Sequence, residues 1–299
     1  MRIAVFTKNR TNPAYAAARL GADRAAERLG AQTQHFVPEH GDDPDEQSAL
    51  IDDALALRVD AFVVAPVHPT RVNAAIARID AAGVPLFAFI NPIPAGRCVS
   101  SVGADDYALG LAIAHHLFAH LEGHGRTLVV SGPVESVSSI ARVRAFHAAA
   151  GAHPAIAVIG TCVGDYVREK ARDAVALSLA AGERVDACLA ANDVMALGAI
   201  DALRAAGRKA TVAGVNAIPE AVAAIKQGEM LATVDFSAMN MAALATECAV
   251  RHLRGEPVPA EIVLRADIVD RRNCDLWDLP FEQRPIPTLA ETLVRAVQP

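Results

Sequence analysis

The chain has 299 residues, a formal net charge of −6 and 53% hydrophobic residues, a composition that supports packed cores and excludes intrinsic disorder as the main state. Aromatic residues make up 4% of the chain, and lysines and arginines form no cluster, which argues against a nucleic-acid-binding surface. No apolar run is long enough for a membrane-spanning helix, and the five cysteines, without a C-x-x-C spacing, indicate neither a zinc site nor a disulfide framework.

Helix and strand patterns alternate from the first residue. The predicted order is strand Arg2–Thr7, helix Pro13–Leu29, strand Thr33–Val37, helix Asp45–Leu57, strand Asp60–Ala65, helix Thr70–Ala82 and strand Val84–Ile90. Continuous apolar strands separated by helices indicate a parallel sheet that is covered on both faces.

A segment of the first half recurs about 125 residues later. The strand pattern 59–66 resembles the pattern 185–192, and each is followed by a helix, a glycine and a further strand. Those further strands end at Asn91 and Asn216. The chain therefore encodes two lobes of one topology in tandem, and a length near 300 residues fits two cores better than one.

Polar residues follow several of these strands. In open α/β sheets, ligands bind outside the carboxyl ends of the strands. Those ends are residues 7–12, 66–68, 91, 131–139, 192–193 and 216. The segments are rich in asparagine, and Arg142 lies just downstream of one of them, so the pattern favours a ligand that is recognised by neutral hydrogen-bonding groups.

Four motifs in this order carry a resemblance to a known family. They are Thr11-Asn12-Pro13-Ala14-Tyr15, Ala82-Gly83-Val84-Pro85, the segment 139–146 and the segment 191–199. From residue 1 to the region of residue 273, the chain resembles the type I periplasmic binding proteins, in the ribose-binding-like branch that shares its fold with the effector domains of LacI-type repressors. The resemblance implies an α/β fold of two similar doubly wound parallel-sheet lobes, joined by a hinge that the chain crosses three times.

The same resemblance implies the domain boundaries. The crossings map near Gly103-Ala104, Asp235-Phe236 and Val263-Leu264. We therefore expect an N-terminal lobe of residues 1–104 plus 237–263 and a C-terminal lobe of residues 105–236 plus 264–299. The segment after Cys274 exceeds the usual family length, and we expect it to form an extension of the C-terminal lobe.

Carried over position by position, the sugar contacts of the family fall on residues of both lobes. They are Asn12, Tyr15 and Asn91 in the first lobe, Arg142, Tyr166, Asn192 and Asn216 in the second, and Asp235 or Phe236 at the late crossing. A longer first loop adds Lys8, and the end of a strand adds His68. A guanidinium fork suits sugar hydroxyls, and tyrosine rings suit the C–H face of a sugar.

Each of these residues also has an ordinary structural interpretation. Asn12 and Asn91 could satisfy loop backbone groups, Arg142 could lie on an exposed helix surface, and Asp193 could be a helix N-cap. Departures from the family pattern, among them Asn216 where an aspartate is common, leave the identity of the sugar open.

We expect no catalytic residue, metal or cofactor. His116, His120 and His124 lie one helical turn apart, but Gly123 predicts that the helix ends before the last of them, so a solvated or packed face is favoured over a metal site. The signature motifs of dinucleotide-binding, P-loop and α/β-hydrolase enzymes are absent from the sequence.

The leading interpretation is therefore a solute-binding protein of an ABC importer, which captures a neutral monosaccharide or polyol between its lobes by hinge closure and presents it to a membrane permease. The alternative is the ligand-sensing domain of a LacI-like regulator without its DNA-binding head. The unpaired cysteines and the missing export signal favour this alternative, whereas the absence of an N-terminal helix-turn-helix and the extra C-terminal segment argue against it. We expect a periplasmic monomer that binds no nucleic acid and whose signal peptide is absent from this chain.

Overall fold

Two parallel-stranded sheets organise the chain, each in its own unit. The computed structural model describes residues 1–297. The first unit consists of Met1–Ala104, Ser237–Leu264 and the described residues from Phe281 onward. The second unit consists of Asp105–Phe236 and Arg265–Pro280.

The first unit is a sheet with helices packed against it. Its elements are β1 (Arg2–Phe6), α1 (Pro13–Arg28), β2 (Gln32–Phe36), α2 (Pro44–Ala56), β3 (Ala61–Val64), α3 (Asn73–Ala81), β4 (Leu86–Ile90), β5 (Cys98–Ala104), α9 (Ala238–Leu253), β11 (Glu261–Leu264) and α10 (Leu289–Val297). The strands run parallel in the order β11-β5-β4-β3-β1-β2. Phe6, at the end of the central strand β1, stacks on Phe36 and Phe62 in the core.

The second unit repeats this arrangement with one strand reversed. Its elements are α4 (Asp106–His120), β6 (His124–Ser131), α5 (Val137–Gly151), β7 (Ala155–Val163), α6 (Arg168–Ala180), β8 (Ala187–Ala190), α7 (Asp193–Ala205), β9 (Thr211–Ala213), α8 (Pro219–Gln227), β10 (Ala232–Asp235) and β12 (Asp267–Asp270). The strand order is β12-β10-β9-β8-β6-β7, and β12 is antiparallel to β10.

The predicted fold class and the predicted order of elements are confirmed. The largest shift is at α3, which was expected from Thr70 and begins at Asn73. The reason is local: Nδ1 of His68 accepts hydrogen bonds from the backbone amides of Thr70 and Arg71, at 3.1 and 3.0 Å. The side chain thus satisfies amides that precede the helix.

The C-terminal extension departs from the expectation that it stays with the second unit. The chain crosses between the units at Leu264 and crosses a fourth time after Pro280, so the residues from Phe281 onward belong to the first unit. The carbonyl of Arg284 accepts a 2.7 Å hydrogen bond from Arg24, and the amide of Leu289 donates a 3.1 Å bond to the buried Glu247. These contacts with α1 and α9 hold the end of the chain on the first unit.

No helix within residues 1–297 is long and apolar enough to cross a membrane. Helix α4 ends at His120, and Gly123 takes the left-handed conformation that closes it, with φ 76°.

The five cysteines are free thiols. Burial raises the pKa of Cys188 to about 12, so this thiol is protonated at neutral pH.

Candidate functional site

The loop that follows the carboxyl end of β1 is stabilised by hydrogen bonds to its own asparagine side chains. Oδ1 of Asn12 caps α1 by accepting a 3.0 Å hydrogen bond from the amide of Ala14. Oδ1 of Asn9 accepts a bond of the same length from the amide of Asn12. Because capping occupies Oδ1 of Asn12, its Nδ2 is the atom that can donate to a ligand.

The loop after β1 is linked to the end of β4 by a buried pair. Nζ of Lys8 donates a hydrogen bond to Oδ1 of Asn91, and the two residues are 7% and 5% exposed. Ile90, just before Asn91, has a φ of 69°, which is strained for a β-branched residue and is characteristic of functional sites. Burial raises the pKa of Asp42, although Lys8 and Asn9 act against this.

Tyr15 and His68 lie at the same edge of the first sheet. Tyr15 is in the first turn of α1, and its amide donates to the carbonyl of Asn12 at 3.0 Å. His68 follows β3, the strand between β1 and β4. Since Nδ1 of His68 accepts backbone hydrogen bonds, the ring proton is placed on Nε2. We call the residues Lys8, Asn12, Tyr15, His68 and Asn91 the first half-site.

In the second unit, Arg142 is a buried residue and not a surface one. It is 3% exposed, and its Nε and Nη2 lie 2.8 and 2.7 Å from Oδ1 of Asp106. Its Nη1 donates to the carbonyl of Ala191 at 2.7 Å, and its guanidinium lies 4.6 Å from the ring centre of Phe236. Helix α5 thus connects α4, the end of β8 and the end of β10, and the interpretation of Arg142 as an exposed helix residue is excluded.

Asn192 is the N-cap of α7, and Asp193 is the first residue of that helix. Oδ1 of Asn192 accepts a 2.9 Å hydrogen bond from the amide of Met195. Nδ2 of Asn192 is buried and has no hydrogen-bond partner among residues 1–297. The alternative in which Asp193 is the N-cap is therefore wrong, and Asn192 presents a buried donor at the end of β8.

Asp193 instead turns inward and holds the next loop. Its Oδ1 accepts a 2.6 Å hydrogen bond from the hydroxyl of Thr233, and its Oδ2 accepts a 3.1 Å bond from the amide of Ile218. Burial raises the pKa of Asp193 to about 7, while these bonds and the charge of Arg142 act in the opposite direction. Asp193 thus supports the loop that carries Asn216.

Asn216 follows β9 in an unusual backbone conformation. Its φ is 132°, and the next residue, Ala217, has a φ of 50°, so both occupy a region that favours glycine. Oδ1 of Asn216 is buried and has no hydrogen-bond partner within the described part of the chain. The strained loop therefore presents a buried acceptor next to the strand end that carries the donor of Asn192.

Tyr166 lies against the loop that follows β6. Its hydroxyl is 3.1 Å from Oγ of Ser136, and its φ is 59°. A Cβ atom at Gly132 would lie 2.5 Å from the tyrosine ring, so only glycine leaves room for this ring. The ring is thereby placed at the carboxyl edge of the second sheet.

Asp235 is the last residue of β10, and its side chain is hydrogen-bonded to the C-terminal extension. Oδ2 of Asp235 accepts a 2.9 Å hydrogen bond from Nε1 of Trp277. We call the residues Arg142, Tyr166, Asn192, Asn216, Asp235 and Phe236 the second half-site. All of them lie in the second unit.

Sequence reasoning missed several residues that hold these half-sites in place. They are Asp42 in the first unit, and Asp106, Ser136, Thr233 and Trp277 in the second. A signal existed for Asp106: it is the second of two adjacent aspartates at a helix start, and Asp105 alone accepts the capping hydrogen bonds of α4. Neither Thr233 nor Trp277 has a comparable signal, because their partners are far away in the sequence.

The chemistry of both half-sites is that of hydrogen bonding. They contain amide, hydroxyl, imidazole, ammonium, guanidinium and carboxylate groups, and the guanidinium of Arg142 is paired with the carboxylate of Asp106. No group of three metal-ligating side chains that could hold a metal ion occurs among residues 1–297. The arrangement is suited to binding a molecule with many hydroxyl groups.

Together these features define an α/β ligand-binding protein with two sheets, whose polar groups gather at the carboxyl ends of the strands. A profile of the periplasmic binding protein domain matches residues 3–257. The chain belongs to the periplasmic binding protein family, which consists of solute-binding proteins and not of enzymes, and the resemblance deduced from the motifs is confirmed.

Individual relatives agree with this assignment. The chain is 26% identical to the ribose import binding protein of Haemophilus influenzae, over 89% of this chain and 90% of that protein. It is 25% identical to a xylitol-binding protein of Mycolicibacterium smegmatis, over 78% and 68% of the two chains. A structure of an ABC transporter periplasmic solute-binding protein from Actinobacillus succinogenes with bound D-allose has a TM-score of 0.87 and 24% identity, covering 92% of this chain and 99% of that one.

Proposed function

We propose that the protein is the binding component of an ABC importer and that it captures one neutral monosaccharide or polyol. The ligand is held by both half-sites through closure about the chain crossings, and the loaded form is presented to a membrane permease. The protein acts in the periplasm as a monomer. The similarity to ribose import and xylitol-binding proteins supports an importer component over the sensing domain of a regulator.

One observation carries the choice of ligand class. Nδ2 of Asn192 and Oδ1 of Asn216 are buried and lack hydrogen-bond partners in the part of the chain that the structure describes. Each such buried group costs about 1–3 kcal/mol. A hydroxyl both accepts and donates a hydrogen bond, so a hydroxyl, or two neighbouring ones, would satisfy this donor and this acceptor together.

The charges of the half-sites favour a neutral ligand. Arg142 is paired with Asp106, so its positive charge is balanced within the second unit. Lys8 interacts with the carboxylate of Asp42 in the first unit. An anionic ligand would have to compete with carboxylates that are already in place, whereas a sugar or polyol would not.

Two variants test the proposal without disturbing the backbone. Asn216→Gly removes the acceptor and suits the positive φ at this position, and Asn192→Ser replaces the amide donor with a shorter hydroxyl side chain that still caps helices well. We expect calorimetry with D-ribose, D-allose and xylitol to show binding of at least one of them to the wild-type chain at a ratio of one to one. Each variant should weaken that binding by about tenfold, equivalent to about 1.4 kcal/mol.

Thr127→Val is the matched control. Oγ1 of Thr127 is also buried without a partner among the described residues, but it lies within β6 and not at the end of the strand. This variant should leave the affinity unchanged. Binding of AMP or of a sugar phosphate, with no response to any sugar or polyol, would contradict the proposal.

A further inference from the structure

The extension that follows β12 contains the only tryptophan of the chain, Trp277. The second half-site as predicted from the sequence ends at Asp235 and Phe236, far from this segment in the chain. Strand β12 pairs with β10 and places Asp267 opposite Asp235. The chain therefore enters β12 beside Asp235, a candidate ligand residue, and leaves the strand at Asp270, opposite Ala232.

A hydrogen-bonded turn follows β12. The side chain of Asn273 accepts a 2.9 Å hydrogen bond from the amide of Asp270 and donates a 2.8 Å bond to the carbonyl of Ile268. A short 3-10 helix (Cys274–Leu276) follows, and Cys274 is 3% exposed in the core of the unit. The start of the extension is therefore fixed by the hydrogen bonds of the Asn273 side chain and by the burial of Cys274.

Ionic contacts fix the segment on both sides of the tryptophan. Nζ of Lys226, in the last turn of α8, lies 3.2 Å from Oδ1 of Asp275 and also pairs with Asp278. Trp277 lies between these aspartates, and its ring packs against the core of the second unit. Packing against the core and, to a smaller extent, these exposed ion pairs position the indole from its own segment.

The held indole donates a hydrogen bond to Oδ2 of Asp235 at 2.9 Å. An indole N–H donates only, whereas a carboxylate has about four acceptor sites. The bond therefore orients the carboxylate while occupying only one of these acceptor sites. Because the indole of Trp277 already holds the Asp235 carboxylate in one orientation, the Asp235 side chain loses less conformational entropy when a ligand binds.

We propose that Trp277 is a positioning residue for ligand binding, because it orients the carboxylate of Asp235, and that the C-terminal extension is thereby part of the binding apparatus. The inference rests on the proposed function. It assigns the extension a role in recognition in addition to covering the core.

A double-mutant cycle separates positioning from packing. Trp277→Phe keeps an aromatic ring in the core but removes the N–H donor, and Asp235→Ala removes the acceptor. We expect calorimetry with D-ribose, D-allose and xylitol to show about fivefold weaker binding by the Phe variant, which is the effect of one hydrogen bond. The same substitution should have no further effect in the Asp235→Ala background.

Leu276→Ala is the control, because this residue directly precedes Trp277 at the end of the 3-10 helix but is 74% exposed, and the affinity of this variant should equal that of the wild type. Unchanged affinity of the Phe variant, or an equal loss in both backgrounds, overturns the inference and leaves the proposed function standing. Absence of any sugar or polyol binding by the wild-type chain overturns both.

Fluorescence provides a measurement that needs no variant, in case the Phe variant does not fold. Emission excited at the red edge of the indole band arises from Trp277 alone. Addition of the sugar or polyol that binds in calorimetry should shift this emission, because a ligand hydroxyl bound to the Asp235 carboxylate changes the polarity around the indole that contacts it. Calorimetric binding without any change of the emission overturns the inference.

Discussion

The buried carboxyl of Asp193 makes the stability of the second unit depend on pH. Asp193 is fully buried, and its oxygens accept hydrogen bonds from Thr233 and from the amide of Ile218. Burial raises its pKa from the ordinary value of 3.8 to about 7, against the opposing influence of Arg142. Asp193→Asn is the informative perturbation, since it retains the shape of the side chain and removes the titration.

The sign follows from the direction of the pKa shift. Between about pH 4 and pH 7, the folded chain holds a proton on Asp193 that the unfolded chain has released, so the folded state binds more protons and stability falls as the pH rises. This contribution is fully present below about pH 4 and is lost as the pH passes through about 7. For these two pKa values, moving from about pH 8 to pH 5 should stabilise the wild-type chain by about 2 to 3 kcal/mol.

Urea unfolding of both proteins across this pH range is the assay. Other groups titrate in the same range, and subtracting the curve of the Asn variant from that of the wild type removes their contribution. The free energy of unfolding of the wild type minus that of the Asp193→Asn variant should increase by about 2 to 3 kcal/mol as the pH falls from about 8 to 5. A difference that is constant with pH, or one that grows in the opposite direction, would refute the reasoning from burial.

Three further substitutions probe the packing behind the half-sites. Arg142→Ala leaves Asp106 buried without its cation, so it should lower the free energy of unfolding by about 3–5 kcal/mol, and urea unfolding measures the loss. Gly132→Ala places a Cβ atom 2.5 Å from the ring of Tyr166, so calorimetry should show weaker sugar binding; retained affinity would place this ring outside the ligand contacts. Gly21→Ala brings a Cβ atom to 2.2 Å from a backbone oxygen of α9, which should destabilise the first unit by about 1–3 kcal/mol, and an unchanged urea midpoint would contradict the close helix contact.

The fold could be predicted because its signals are local and repeated. Apolar strand runs, prolines at helix starts and glycines after helix ends give the element order, and the internal repeat gives the second unit. The path of the extension could not be predicted in this way. Its fourth crossing depends on Leu289 and the buried Glu247, a pair that no periodicity connects.

The sequence predicts which strand ends carry the candidate site, but it does not predict which hydrogen bonds the individual side-chain atoms form. The sequence places Asn192 and Asp193 together, yet it does not tell which oxygen caps α7. In the structure the asparagine caps with Oδ1 and presents Nδ2, while the aspartate reaches Thr233 and Ile218. Likewise, the sequence marks Arg142 but not its ion pair with Asp106, because that pair depends on how α4 and α5 pack.

Hydrogen exchange read by mass spectrometry, with and without a saturating sugar or polyol from the panel, tests the central claim most directly. The claim is that one polyhydroxylated ligand contacts the strand ends of both units. We expect slower exchange in the loops around Asn12 and Asn91 of the first unit and around Asn192 and Asn216 of the second, with unchanged exchange at the opposite edges of both sheets. Protection confined to one unit, or protection at the amino ends of the strands, would contradict the account.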